Sequence, residues 1–372
     1  MTKKDKVVIA LSGGVDSSMA AIILKEAGYN VIGISMHLWC EEKSGTINQR
    51  RPCCSLASIR DAEQICASLN LPFYVLNFEA EFQQYVVNYF SHEYQQGRTP
   101  NPCIACNQHI KFHLLLNQAL ALGANYLATG HYARIAYHHD SYHLLKAVDP
   151  SKDQSYFLYT LGQEQLKHLL FPTGTYHKAE IRRLARDKGL LVADKEDSQD
   201  LCFINDDYRC FLNRFQTPIP GKAVNTEGRI LGEHKGLSHY TIGQRYTQVT
   251  SPGDHLYIVK INSDLNQIVV GREEELYSQK LVAKGVNWVS GKAPTGPTTM
   301  TAKIRYKSPE VPADIFPNKD WVEVVFDQPQ RAITPGQAVV FYQGEEVLGG
   351  GTIEESEITS GQEQIHASAT KL

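Results

Sequence analysis

The chain has 372 residues, 42% of them hydrophobic, 21% charged and 9% aromatic. These proportions exclude a disordered chain or a disulfide-stapled miniprotein and leave room for two or three domains at roughly 150 residues each. Lysine and arginine (37) nearly balance aspartate and glutamate (40), so no global basic field advertises a polyanion partner and any nucleic-acid contact must come from a local face.

The start, Met1-Thr2-Lys3-Lys4-Asp5-Lys6, leads into Val7-Val8-Ile9-Ala10-Leu11, too short for a signal-peptide core, and no apolar run nears the roughly 18 residues of a membrane span. The expectation is a cytoplasmic protein without a membrane partner. Its eight cysteines then read as buried residues, metal ligands or redox nucleophiles rather than a disulfide framework. In chain order, β-rich runs at 7–11, 31–36, 73–78 and 126–129 alternate with helical stretches near 17–28, 55–69, 79–94 and 107–122, the pattern of a parallel α/β sheet. Ligands collect at the carboxyl ends of such strands, so chemistry is sought just after Leu11, Met36 and Thr129. A hairpin begins at 133, with His138, His139 and His143 expected to face solvent. The helix predicted over 177–189 puts Lys178, Arg182 and Arg186 on one face, read either as a solvated surface or as a basic patch for nucleic acid. Beyond about 215 the chain turns rich in Gly, Thr and Val with short alternating runs at 256–261, 267–271 and 321–326. These predict two small β modules joined near Leu281, the second a barrel. The expected division is a catalytic domain over 1–212, a central β-rich domain over 213–280, a C-terminal β-barrel over 281–360 and a flexible tail over 361–372.

Ser12-Gly13-Gly14-Val15-Asp16-Ser17-Ser18 stands between the first β run and a helix. Glycines let backbone N–H groups close on phosphate oxygens, the helix N-terminus supplies partial positive charge, and the serines add donors. Asp16 would repel phosphates unless it holds Mg²⁺. The loop lacks the Gly-Lys-Ser/Thr ending of a Walker loop and is no nucleophile elbow. It resembles the PP-loop of the ATP pyrophosphatase superfamily, whose members adenylate a substrate oxygen and release pyrophosphate.

Arg98-Thr99-Pro100-Asn101-Pro102-Cys103-Ile104-Ala105-Cys106-Asn107 places two thiols three residues apart before a helix, and Asp197-Ser198-Gln199-Asp200-Leu201-Cys202 brings a third. Sulfur chemistry is the leading reading, with Cys106 expected to gain thiolate character if the helix starts there. Zinc would want a fourth ligand, and none stands nearby at the right spacing. Cys40, Cys66 and Cys210 read as packing residues, and Cys53-Cys54 as structural.

Together with Cys53-Cys54-Ser55, the run from Thr99 to Phe112, Ala128-Thr129-Gly130-His131-Tyr132-Ala133, Lys152-Asp153-Gln154-Ser155-Tyr156-Phe157, Ser198 to Phe203 and Gly236 to Arg245, these motifs make the chain resemble the bacterial-type tRNA-specific 2-thiouridylase family over nearly its whole length. The resemblance implies an adenine nucleotide alpha hydrolase-like catalytic domain that thiolates the wobble uridine of tRNA. It implies ATP binding at Ala10, Leu11, Ser12, Gly13, Gly14, Val15, Asp16, Ser17, Met36 and Gly130, with Mg²⁺. Cys202 would carry the persulfide, with Cys106 as second catalytic cysteine, the two forming a disulfide as sulfur leaves. Asn101, Pro102 and Cys103 would hold the target base, and His131, Lys152, Asp153, Gln154, Arg305, Tyr306 and Gln337 would meet the tRNA. The sulfur would come from a cysteine desulfurase or a sulfur-relay protein. Cys103 departs from the family, many of whose members have Asp there as proposed general base. The trio Cys103, Cys106 and Cys202 also suits three-thiolate binding of a 4Fe-4S cluster, so the same reaction through a cluster stays open. A PP-loop ligase for a small molecule and a non-catalytic RNA-binding protein are the rival classes.

Overall fold

The computed structural model describes residues 5–39, 56–196, 201–204, 207–248 and 255–357. The readings on Cys40, on Cys53-Cys54 and on a tail over 361–372 fall outside them.

Strand β1 (Lys6–Ala10) is buried from Val7 to Ala10, as a strand covered on both faces must be. Its alternation divides the core. Val7 and Ile9 pack with Ala20 and Leu24 of α1 (Val15–Glu26) and with Ala62 and Cys66 of α2 (Leu56–Ser68), while Val8 and Ala10 face helices on the other side. With β2 (Asn30–His37), β3 (Phe73–Asn77), β4 (Tyr126–Ala128) and a two-residue strand (Leu169–Leu170), β1 forms among the described residues a five-stranded parallel sheet ordered β3-β2-β1-β4 and then that short strand. The four long strands lie where the periodicity placed them. The short one carries too few residues to make a pattern.

The far face of the sheet is covered by continuous helices over 79–95 and 102–121, each passing through a π-wound segment, Gln83–Asn88 and Cys106–Leu115. The second helix starts at Pro102, five residues before the predicted start, because Asn101 caps it and Pro102 needs no N–H partner in the first turn. Strands β5 (Ala133–His138) and β6 (Ser141–Lys146) form the expected hairpin, turned by His139 and Asp140 at positive φ (49° and 57°). His138 and His139 are exposed, whereas His143 is half-buried and its Nδ1 meets Glu346 at 2.6 Å. Cys66 is buried as expected, but Cys210 is exposed.

The central segment forms a five-stranded sheet around Ala223, Tyr246, Ile258 and Ile268. Beyond it, strands Tyr277–Trp288, Thr298–Lys303, Val311–Pro317, Trp321–Arg331, Ala338–Gln343 and Glu346–Glu357 close into an antiparallel six-stranded barrel, the first pairing with both the fourth and the last. Closure leaves no free edge within the ring. The β5–β6 hairpin of the first domain extends the barrel sheet, Leu144 and Leu145 pairing with Val347 and Glu346.

That graft is one of several ties between the barrel and the first domain. Arg98 pairs with Glu93 (2.7 Å) and, across the join, with Glu354 (3.0 Å). The Thr99 N–H donates to the Pro335 carbonyl at 2.8 Å, and Gln337 Nε2 donates to the Thr99 carbonyl at 2.8 Å. Gly336, at φ +89°, lies so close that a Cβ would stand 2.9 Å from the Thr99 nitrogen. The barrel thus fixes the residues that lead into the helix carrying Cys103 and Cys106.

Candidate active site

The loop after β1 is organised by its own serines. Ser17 Oγ bonds Ser12 Oγ at 3.2 Å and donates to the Gly14 carbonyl at 3.1 Å, and Ser18 Oγ donates to the same carbonyl at 2.8 Å. The Leu11 N–H and carbonyl are held by the Ile34 carbonyl and the Ser35 hydroxyl, both at 2.8 Å. Gly14 caps α1 without a side chain, so the first N–H groups of the helix keep no side-chain acceptor from the cap, the condition for anion binding. Gly13 sits at φ +67°, and a Cβ there would lie 2.2 Å from the Ser58 carbonyl oxygen of α2. Gly130, just past β4, has the same constraint from the other side: its Cβ would be 2.7 Å from the Ser17 nitrogen. Both glycines let backbone close around the helix start. Gly13→Ala forces that backbone apart at a left-handed φ, and the expected result is a loss of about 1–3 kcal/mol or more in urea unfolding.

Asp16 is engaged. Lys178 Nζ reaches both of its carboxylate oxygens at 2.7 Å, and the Tyr132 hydroxyl donates to Oδ1 at 2.7 Å. Lys178 is the first residue of the Lys178–Asp187 helix and is only 7% exposed. The basic face predicted there is therefore not an open patch: Arg182 donates to the carbonyls of Ala193 and Lys195, both at 3.0 Å, and Arg186 pairs with Asp194 at 2.8 Å. Lys195 also belongs to the loop, donating to the Gly13 carbonyl and pairing with Asp61, each at 2.8 Å. Tyr132, Lys178 and Lys195 were missed from sequence as members of this site. Tyr132 at least lies within the motif containing Gly130, whereas no local pattern connects residues 162 or 182 positions from the loop.

The sulfur candidates Cys106 and Cys202 are both associated with the extended core on the opposite face of the sheet. Cys106 belongs to the core cluster that contains Ala10 and Ile34, and Met36 and Cys202 pack against it. Cys202 is brought there by Phe203, which is 4% exposed and set edge-on among Phe82 (5.6 Å), Phe90 (5.5 Å) and Phe211 (5.3 Å). Truncating Phe203 to alanine is expected to cost about 3–5 kcal/mol in urea unfolding and to speed alkylation of Cys202.

Cys103, not Cys106, occupies the first turn of its helix, and it is exposed while Cys106 is buried. The helix-dipole argument for a thiolate therefore applies to Cys103, since the field fades within one turn. Among the described residues no three His, Cys, Asp or Glu side chains are grouped to hold a metal ion. The described Cys103, Cys106 and Cys202 thus do not fit the three-thiolate corner a 4Fe-4S cluster needs. Asn101 accepts the Ile104 N–H at 3.4 Å, the cap that fixes both cysteines.

The residues assigned to RNA contact are scattered in role. His131 is half-buried between Phe112 and Phe171, its Nδ1 is 2.7 Å from Thr129 Oγ1, and burial together with Lys111 drives its pKa well below the usual value, so the ring is neutral at pH 7. Asp153 and Gln154 use their side chains inside the chain, Asp153 on the Ala147 N–H and the Ser155 hydroxyl and Gln154 on the Tyr132 N–H. Lys152 lies beside them, partly exposed. Arg305 donates to the Arg331 carbonyl at 2.8 Å, and Tyr306 stacks at a tilt on Phe157, 4.5 Å away. No helix among the described residues is long and apolar enough to cross a membrane.

Residues 5–206 match the family described as tRNA methyl transferase HUP domain, 209–272 the tRNA methyl transferase PRC-barrel domain, and 278–353 the aminomethyltransferase beta-barrel domain. The tRNA-specific 2-thiouridylase MnmA of Acetivibrio thermocellus is 49% identical, covering 95% of this chain and 100% of its own length. Its namesake in Halothermothrix orenii is 47% identical over 95% of this chain and 99% of its own, and that of Carboxydothermus hydrogenoformans 47% over 94% and 98%. With that identity sustained from the phosphate loop through the barrel, the chain belongs to the tRNA-specific 2-thiouridylase family.

Proposed function

We propose that the protein is an ATP-dependent sulfurtransferase that converts the wobble uridine of tRNA to 2-thiouridine, releasing AMP and pyrophosphate. The observation that supports this reading is that Cys106 and Cys202 both belong to or pack against the core that also contains Ala10, at the end of the strand leading into the serine–glycine loop. The uridine C2 oxygen attacks the α-phosphorus of ATP and expels pyrophosphate, turning a poor leaving group into AMP. The terminal sulfur of a Cys202 persulfide then attacks C2, the C2–O bond breaks and AMP departs. The Cys106 thiolate attacks the Cys202 sulfur, leaving the transferred sulfur on the base and a Cys106–Cys202 disulfide that an external thiol reductant reopens. A cysteine desulfurase or relay protein recharges Cys202.

In this reading Ala10 to Ser17, Met36 and Gly130 hold the nucleotide, and Asn101, Pro102 and Cys103 hold the flipped uridine. His131, Lys152 to Gln154, Arg305, Tyr306 and Gln337 belong to the tRNA face. The catalytic domain is taken as 1–212, followed by 213–280, 281–360 and a tail over 361–372. Asp16 is the carboxylate that fits Mg²⁺, which usually takes few protein ligands and completes its shell with phosphate oxygens and water. Mg²⁺ supplies charge neutralisation for the polyphosphate. For Asp16 to meet it, the Lys178 ammonium must yield.

The test incubates the purified protein with unmodified tRNA, Mg·ATP and a persulfide donor and scores nucleosides by mass spectrometry. Formation of 2-thiouridine at the wobble position, dependent on ATP, is the expected outcome. Turnover of ATP on a small acceptor, with no thiolated base in any tRNA, would transfer the chain to the small-molecule ligases.

A further inference from the structure

A cavity of about 490 Å³ opens between the helices over 79–95 and 102–121 and the barrel edge at Gly336, Ala338 and Thr352. Its size is that of small-ligand sites. Each helical wall lines it partly with π-wound residues: Gln84 and Tyr85 lie in the Gln83–Asn88 π segment, and Gln108 and His109 in the Cys106–Leu115 π segment. π-Turns are rare and recur at functional sites because they re-aim side chains against the helical register.

Here they bring Tyr85 and His109 face to face, ring centroids 5.0 Å apart and planes within 16°. Tyr85 remains 38% exposed. Burial and the neighbouring His113 lower the His109 pKa, so the pair is uncharged at pH 7. Gln84 and Gln108 line the same cavity, and among the described residues lining it there is no carboxylate, lysine or arginine. Apart from the imidazoles of His92 and His109, no side chain among the described lining residues can offer counter-charge to a phosphate. A flat, neutral ring with donors and acceptors on its edge finds stacking surface and amides, the means by which proteins take unstacked bases of single-stranded RNA. Asn101, on the rim, caps the helix that carries Cys103 and Cys106.

We propose that this cavity receives a second unstacked base of the RNA, a loop neighbour of the target uridine, stacked against Tyr85 and His109 and read by Gln84 and Gln108. The inference rests on the tRNA reading above, and it makes loop opening, rather than the uridine alone, part of what is recognised.

The experiment measures binding of a short RNA stem–loop with the target uridine in its loop, by fluorescence anisotropy, to wild type, Tyr85→Ala and Tyr85→Phe. Each loop position is in turn made abasic. Tyr85→Ala is expected to weaken binding about tenfold, with Tyr85→Phe near wild type and ATP affinity unchanged. An abasic site beside the target is expected to cost wild type about tenfold and Tyr85→Ala less than about twofold. Equal losses in both proteins, or stem–loop affinity in Tyr85→Ala within about twofold of wild type, would overturn the inference while leaving the thiolation reading intact. Failure of wild type to bind the stem–loop at all would overturn both.

Discussion

Cys202→Ser is expected to abolish 2-thiouridine formation, by about a thousandfold or more, while pyrophosphate release driven by tRNA and ATP stays within a few-fold of wild type. The asymmetry follows from geometry. Cys202 reaches the site through the anchor at Phe203, and the nucleotide loop is organised by Ser17, Ser18 and the flanking glycines, so removing one sulfur atom leaves the loop untouched. Adenylation and sulfur delivery are then separable steps. Cys106→Ser should fail later: a single turnover stalls with the base joined through sulfur to Cys202, seen as a protein–RNA adduct that a thiol reductant releases. Loss of pyrophosphate release in Cys202→Ser would instead place that cysteine in the adenylation step, and full activity in either variant would end the persulfide mechanism.

How far the sequence alone reaches depends on the range of the interaction concerned. The parallel sheet was legible because its strands are short apolar, β-rich runs set between helices, and the turn after β1 because its glycines and serines act within seven residues. The cysteine helix was placed too late because Asn101-Pro102 reads as loop chemistry, although Asn at a cap followed by Pro is a helix start. That shift moved the helix-terminal field from Cys106 to Cys103. Other features had no local signature at all. The β5–β6 hairpin joins the barrel through pairing across some 200 residues, Leu145 with Glu346, and Arg98 finds Glu354 at a similar distance. The basic face around Lys178 had the right periodicity for a surface patch, but periodicity states which residues share a face and not what that face meets. Here it meets Asp16 and the segment leading to Cys202.

The pair Asp16–Lys178 carries the second large effect. Asp16→Asn removes the carboxylate charge that faces a lysine ammonium only 9% exposed in its side chain. Breaking a buried pair on one side costs about 3–5 kcal/mol, and the partial exposure of the carboxylate, 29%, brings the expected loss in urea unfolding toward about 2–3 kcal/mol. Lys178→Met leaves the more exposed partner, still bonded to Tyr132, and should cost less. The double variant Asp16→Asn/Lys178→Met removes both charges and is expected to regain at least about 1 kcal/mol over Asp16→Asn alone, a coupling in the range of contacting residues. Nucleotide binding separates the two residues further. If Asp16 were to hold Mg²⁺ as proposed, the polyphosphate would be the anion offered to the Lys178 ammonium. Lys178→Met should therefore weaken Mg·ATP binding about tenfold or more while adenosine binding is unchanged. Equal loss for adenosine would mean that Lys178 only supports the loop; no loss for either would mean that the ammonium never leaves Asp16 and that the dication is held elsewhere.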